Sequence, residues 1–255
     1  MTQSDDARRA RAGLLRDLHH RADVLVLPNV WDAQTAKIFE QAGFPALATP
    51  SSGIADSLGY ADRQLAPATE MFAAAARIIR SVGVPVTVDA EAGYGLTPAE
   101  LAERLAETGA AGCNLEDTAH PQGTLVAIEE QAEWLAAVRA ADPHLVINAR
   151  VDSFLRGKGP VEELLQDAIT RAEAYLAAGA DCVYPILAPT AVLGELTERI
   201  PGPVNAMFLP NGPSLAELAE LGIARVTFGG QLYDHTLGLV RQMAERLTAG
   251  QNPLA

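Results

Sequence analysis

The sequence predicts a (β/α)8 TIM barrel, on three observations. Short apolar runs of strand type recur eight times along the 255 residues, and a helical pattern separates each from the next. Several of the helices close on a glycine just before the next run, as in Ala42-Gly43, Val82-Gly83, Thr108-Gly109, Ala178-Gly179 and Leu221-Gly222. The runs themselves show little polar alternation, as expected of parallel strands buried on both faces. Eight strand–helix units joined by short turns match a closed barrel better than an open doubly wound sheet. Periodicity does not show closure, so an open sheet stays compatible with the pattern.

In chain order, Met1 to Asp6 is polar and acidic, and Ala7 to Arg21 carries Leu14, Leu15 and Leu18 at helical spacing, an amphipathic helix leading into the domain. Val24–Leu27 is a short strand ended by Pro28. Asn29 to Asp32 supplies capping residues for a helix that runs to Gly43. The remaining strands are Ala46–Thr49, Val84–Asp89, Gly112–Leu115, Leu145–Arg150, Cys182–Pro185, Pro203–Met207 and Arg225–Phe228. No break rich in Pro, Gly or Ser and no charge block divides the chain, so residues 1–255 are expected to form one domain.

The net charge of -13 and pI near 4.8 argue against nucleic acid or an anionic membrane surface as a partner. Any anionic substrate must then meet locally placed positive charge. Cys113 and Cys182 sit inside apolar runs and read as core residues of a reducing compartment. With no apolar signal region at the start and no span of membrane length, the expectation is a soluble cytoplasmic protein.

A barrel places its chemistry at the C-terminal ends of the strands. Those ends are polar here: Asn29 and Asp32; Ser51, Ser52, Gly53 and, further along, Asp62; Asp89 and Glu91; Glu116 and Asp117; Asn148, Arg150 and Asp152; Tyr184; Asn205; Gly229 and Gln231. Alternation along the third strand puts Asp89 and Glu91 on one side. Alone, such a pair reads equally as a helix cap or as a metal site. Asp62, Asp89, Glu91 and Glu116 come from three successive strand ends and can converge on one point, an arrangement that asks for a hard divalent cation, Mg2+ best of all. No His/Cys cluster at zinc spacing competes. Arg150 is the counter-charge for a substrate carboxylate or phosphonate, its other role being a salt bridge that balances the acidic cluster. Ser51-Ser52-Gly53 can offer backbone N–H groups to an anionic oxygen as a nest.

These motifs, in this order, resemble the isocitrate lyase/phosphoenolpyruvate mutase superfamily: Leu27-Pro28-Asn29-Val30-Trp31-Asp32, Ser51-Ser52-Gly53-Ile54, Leu58-Gly59-Tyr60-Ala61-Asp62, Asp89-Ala90-Glu91-Ala92-Gly93-Tyr94-Gly95, Leu115-Glu116-Asp117, Asn148-Ala149-Arg150-Val151-Asp152 and Pro210-Asn211-Gly212-Pro213-Ser214. The resemblance implies a barrel whose last helix, Gln231 to Leu247, is exchanged between neighbouring subunits of a dimer or dimer of dimers, and a magnesium site for small 2-oxo acids. By motif, Asp89 resembles the direct Mg2+ ligand, while Asp62, Glu91 and Glu116 resemble carboxylates that hold the ion through its waters. Ser52, Gly53 and Ile54 match the segment that grips the substrate carboxylate, Arg150 the arginine on the same anionic end, and Asn205 joins them as a substrate-binding candidate.

Two departures bear on the reaction. Members that cleave isocitrate or 2-methylisocitrate carry a Lys-Lys/Arg-Cys-Gly-His loop, whereas here Tyr94-Gly95 passes directly into Leu96-Thr97-Pro98. Members that handle phosphonopyruvate use a long gating loop with a Lys and an Asn or Thr; the stretch Thr118-Ala119-His120-Pro121-Gln122-Gly123-Thr124-Leu125 is short and has neither Lys nor Asn. The groups left to move protons are His120, in a loop where a histidine is commonly just solvated, Tyr94 and a magnesium-bound water. Arg150, Glu116 and His120 are the catalytic candidates. The expected function is a Mg2+-dependent lyase that breaks or makes a C–C bond beside a 2-oxo acid through an enolate. C–P chemistry on phosphonopyruvate is the alternative, and a non-catalytic binder of 2-oxo acids the third reading.

Overall fold

The protein, a computed structural model, is described over residues 3–254. Strands β1 (Leu25–Leu27), β2 (Leu47–Ala48), β3 (Val86–Asp89), β4 (Gly112–Glu116), β7 (Val146–Val151), β8 (Cys182–Pro185), β9 (Asn205–Met207) and β10 (Arg225–Thr227) are all parallel. They pair as β2-β3-β4-β7-β8 and β1-β10-β9. Single bridges, Asn29 to Ala48 and Val183 to Val204, join the two arcs into a closed ring. The barrel alternative to an open sheet is therefore the observed one.

Several strands begin later than the apolar runs suggest. Pro85 and Pro203 explain two of these starts: each carbonyl accepts a ladder bond, from Leu47 and Val183 at 3.0 Å, but neither proline has an N–H to return. A short antiparallel hairpin, β5 (Thr118–Ala119) with β6 (Thr124–Leu125), stands outside the ring just after β4. The sequence reading leaves it as a loop.

Eleven helices are described: α1 (Gln3–Leu18), α2 (Ala33–Gln41), α3 (Ser51–Ser57), α4 (Ala68–Ile79), α5 (Pro98–Thr108), α6 (Ile128–Ala141), α7 (Ser153–Arg156), α8 (Val161–Ala177), α9 (Thr190–Arg199), α10 (Leu215–Glu220) and α11 (Gln231–Thr248). Their ends follow side-chain chemistry. Asp32 caps α2 by accepting from the N–H groups of Gln34 and Thr35, both at 2.8 Å. Thr97 and Glu100 form a capping box around Pro98, and Gly109 ends α5 at φ 83.

Helix α1 plugs the bottom of the barrel, where Ala12, Leu15 and Leu18 join Leu25, Leu27, Ala46, Ala48, Ala111 and Val146 in one buried cluster. Gly112 is required beneath it, because a Cβ there would lie 2.6 Å from the Val146 carbonyl oxygen and 3.1 Å from Leu15. Arg8 with Asp142 (2.8 Å) and Arg16 with Asp181 (2.6 Å) fasten the helix. It starts earlier and ends earlier than 7–21, and Leu14, expected on its apolar stripe, is 42% exposed. No described helix is long and apolar enough to cross a membrane.

Candidate active site

A cavity of about 300 Å³ opens at the C-terminal ends of the strands, with Asp62, Asp89, Glu91, Glu116, His120 and Arg150 in its walls. Strand β3 delivers Asp89, whose Oδ2 accepts from the Ser51 hydroxyl at 2.9 Å and more weakly from the Ser51 N–H at 3.3 Å. Glu91 arrives differently from the alternation argument. The strand stops at Asp89, and the chain turns through left-handed Glu91 (φ 48), Gly93 (φ 89), Tyr94 (φ 54) and Gly95 (φ 69). Gly93 lets this turn sit on Trp134, since a Cβ would be 2.8 Å from the indole. Glu91 and Tyr94, both with side chains, hold a conformation that L residues adopt at a cost. The Gln64 N–H holds the Glu91 Oε2 at 2.8 Å, and the Gln64 side chain accepts from the Tyr94 N–H.

Glu116, at the end of β4, meets His120 Nε2 through Oε1 at 2.5 Å and pairs with Arg150 through Oε2. Donor atoms of Glu91, Glu116 and His120 all lie within 4.8 Å of one another. Arg150 ends nearly buried, with Nε and Nη2 on the two oxygens of Asp152 at 2.7 and 2.9 Å. Behind it, the Asp152 N–H donates to Asp117 at 2.8 Å, and Asp117 also accepts from Tyr175 (2.7 Å) and Arg171 (3.1 Å). Arg171 reaches the Val126 carbonyl at 2.8 Å, and Thr118 donates to Asp152, so one buried network sets the angle of Arg150 and the base of the hairpin.

The carboxylates are short of positive charge. Burial, followed by the neighbouring Asp89, Asp62 and Glu116, pushes Glu91 up to about 8. Burial also raises Asp89 and Glu116, against the pull of Arg150 in both cases. The buried Tyr94 hydroxyl lies beside Glu91, and burial followed by the Glu91 charge holds it well above its usual range.

The structure brings together most of the residues singled out in the sequence, with differences in how. Asp62 reaches the cavity from an exposed rim. His120 is not a solvated loop residue: its side chain is 8% exposed and tied to Glu116. Ser51-Ser52-Gly53 form the first turn of α3 rather than a nest, with Ser51 bonded to Asp89 and, among the described residues, no acceptor on the N–H of Ser52 or Gly53. Ser52 lines the cavity, while Gly53 and Ile54 do not. Ile54 is a core residue, and Gly53 lies under Tyr233. Asn205 is buried below the cavity lining and donates to Thr227 at 3.1 Å. Arg63 and Arg156 line the cavity and escape sequence reasoning, because they sit in connecting segments rather than at strand ends. A second cavity, about 350 Å³ between Leu18, Val24, Phe44 and Pro45 near the strand beginnings, has no acidic cluster.

A sequence model of the phosphoenolpyruvate phosphomutase family matches residues 15–248. The crystal structure of a proposed phosphonomutase from Burkholderia cenocepacia J2315 superposes with a TM-score of 0.86 at 39% identity, covering 92% of this chain and 99% of that one. The 2,3-dimethylmalate lyase of Eubacterium barkeri is 33% identical over 229 residues, 83% of this chain and 77% of the relative. A phosphonopyruvate hydrolase solved with oxalate and Mg2+ shares the fold at 24% identity and a TM-score of 0.82, over 94% of this chain and 88% of that one. These relatives thus include a lyase and a proposed phosphonomutase, and the hydrolase shares their barrel. With its motifs at the strand ends and the family match running nearly from end to end, this chain belongs to the phosphoenolpyruvate phosphomutase family of the isocitrate lyase/phosphoenolpyruvate mutase superfamily.

Proposed function

We propose that the chain is a Mg2+-dependent lyase that breaks a C–C bond of a small 2-oxo acid, by decarboxylation or retro-aldol cleavage. The observation behind this reading is the gathering of four carboxylates, Arg150 and a hydrogen-bonded Glu116–His120 pair in one cavity. All-oxygen donors with raised proton affinity suit a hard cation, whose charge would replace the protons that burial and mutual repulsion now favour. Asp62, Asp89, Glu91 and Glu116 are the residues that would hold it. When bound, such an ion would supply Lewis-acid stabilisation to negative charge on the keto oxygen.

The protein's own groups do the rest. Asp152 occupies Nε and Nη2 of Arg150, so the Nη1 edge is left for the substrate carboxylate, helped by the Ser52 N–H. In decarboxylation the leaving carboxylate departs as carbon dioxide, the electron pair of the broken C–C bond passes into the enolate, and the Glu116–His120 pair gives its proton to carbon. In retro-aldol cleavage the substrate hydroxyl first gives its proton to that pair, the aldehyde departs, and the same proton goes to the enolate carbon. That pair fills the position of proton donor which the sequence, lacking the cysteine loop, leaves unassigned. The compact hairpin, without Lys or Asn, favours C–C over phosphoryl chemistry.

Calorimetry with Mg2+ and oxaloacetate tests the site, and release of carbon dioxide or an aldehyde, against phosphate from phosphonopyruvate, tests the reaction. Asp89→Ala is expected to weaken metal-dependent binding at least tenfold with the circular dichroism spectrum unchanged. Retained affinity would remove Asp89 from the metal site, and release of phosphate alone would overturn the lyase assignment.

A further inference from the structure

Three guanidinium groups face the cavity, and they differ in what already occupies them. Arg150 is paired with Asp152 and Glu116. Arg63 is exposed at the rim beside Asp62. Arg156, the last residue of α7, is half-buried, and among the described residues its side chain has no ion pair and no hydrogen bond. Its Nε is buried without a partner. An N–H of a charged group removed from water and left unbonded is costly, so this arrangement favours an anion arriving from the cavity.

The surroundings state which anion fits. Leu155, Ile186 and Leu187 give the same cavity an apolar lip, which lowers the local dielectric and strengthens any charge pair formed there. The carboxylate cluster and Arg150 occupy the strand ends, while Arg156 comes from the segment beyond β7, with its Nη1 close to Gly123 at the hairpin turn, 3.8 Å from where a Cβ would be. A ligand with one anionic end among the strand ends and a second beside Arg156 would satisfy both.

We propose that Arg156 is a specificity-determining residue that receives the second carboxylate of a short 2-oxo dicarboxylate, so that the site selects dicarboxylates over 2-oxo monocarboxylates. The proposal rests on the 2-oxo acid reading of the cavity. Seated beside Gly123, the bound carboxylate also lies against the hairpin that carries His120, which couples recognition of the second charge to the position of the proton donor.

The test compares oxaloacetate with pyruvate in saturating Mg2+, as Kd or, where turnover occurs, KM, for the wild type, Arg156→Gln and Arg156→Lys. The wild type is expected to prefer oxaloacetate at least tenfold. Arg156→Gln should lose about 10- to 100-fold for oxaloacetate while pyruvate changes less than about threefold, the loss of a charged hydrogen bond being worth about 1.5–3 kcal/mol. Arg156→Lys should recover part of the preference, since it keeps the charge but not the fork. Equal affinity for the two acids in the wild type, or equal losses for both in Arg156→Gln, overturns the role of Arg156 and leaves the site reading standing. Binding of neither acid by the wild type overturns the site reading itself, and this assignment with it.

Discussion

Glu116 Oε1 and His120 Nε2 lie 2.5 Å apart, too close for two bare acceptors, so a proton stands between them. Arg150 sits on the other Glu116 oxygen and pulls against the burial that raises this carboxyl. Replacing His120 by Gln preserves a hydrogen-bond donor but removes the imidazole that can pass a proton on. The expected result is a fall in kcat of about 10²-fold or more, with KM within a few-fold and the melting temperature little changed. A Gln variant of wild-type kcat would leave His120 a structural partner of Glu116. Of these residues, Asp89, Glu116 and Arg150 are legible in the sequence because each ends an apolar run. The environment of His120 is not, because Ala119 and Pro121 on either side give no sign that the hairpin folds its imidazole onto β4.

At the scale of elements, the barrel strands are readable since burial on both faces leaves an unbroken apolar run, and the capping boxes are readable since they are spelled out locally. Features made by tertiary contact are not. The two-residue strands of the β5–β6 hairpin are too short to show alternation, and the turn bringing Glu91 into the site depends on the Gln64 contacts from another segment. Helix α11 is a case where the exposure pattern suggests a partner. Apart from Tyr233, which bonds Asp56 at 2.8 Å and stacks edge-on to Trp31, its residues are not buried. Leu239, Val240, Met243 and Leu247 are 40–62% exposed along one face. Exchange of this helix between subunits is the association we propose. The double substitution Leu239→Glu with Met243→Glu is expected to convert an oligomer into a species near the 26.9 kDa chain mass in sedimentation. A wild-type chain that already sediments at that mass removes the proposed exchange.

Across the whole molecule, polarity runs through the barrel interior from the acidic mouth to the plug formed by α1. Near its lower end the fully buried Arg225 donates to Asn114 at 3.1 Å and lies 3.5 Å from His19 Nε2, and among the described residues no carboxylate forms a salt bridge with it. His19 Nδ1 contacts the Leu15 carbonyl at 2.7 Å, which fixes the proton on Nδ1 and leaves Nε2 as the acceptor for Arg225. Sequence alone carries no hint of this, since His19 follows α1 and is far from Arg225 in the chain. Burial, then the Arg225 charge, lowers His19 to about 3, with His20 adding to the shift and Asp181 opposing it. Because the folded value is depressed, neutral His19 belongs to the native state: its contribution is full above the unfolded value of 6.5 and is lost as pH falls from there towards 3. The raised carboxylates Asp89, Glu91, Glu116 and Asp117 act in the opposite sense, being easier to protonate in the fold. Unfolding free energies of the wild type and His19→Asn, compared across pH, cancel that background. The difference between them should be flat above pH 7 and then move against the wild type by about 1.4 kcal/mol per pH unit between about pH 6 and 4. A difference that stays flat throughout would mean that His19 is free to charge within the fold, and that Arg225 does not hold it neutral.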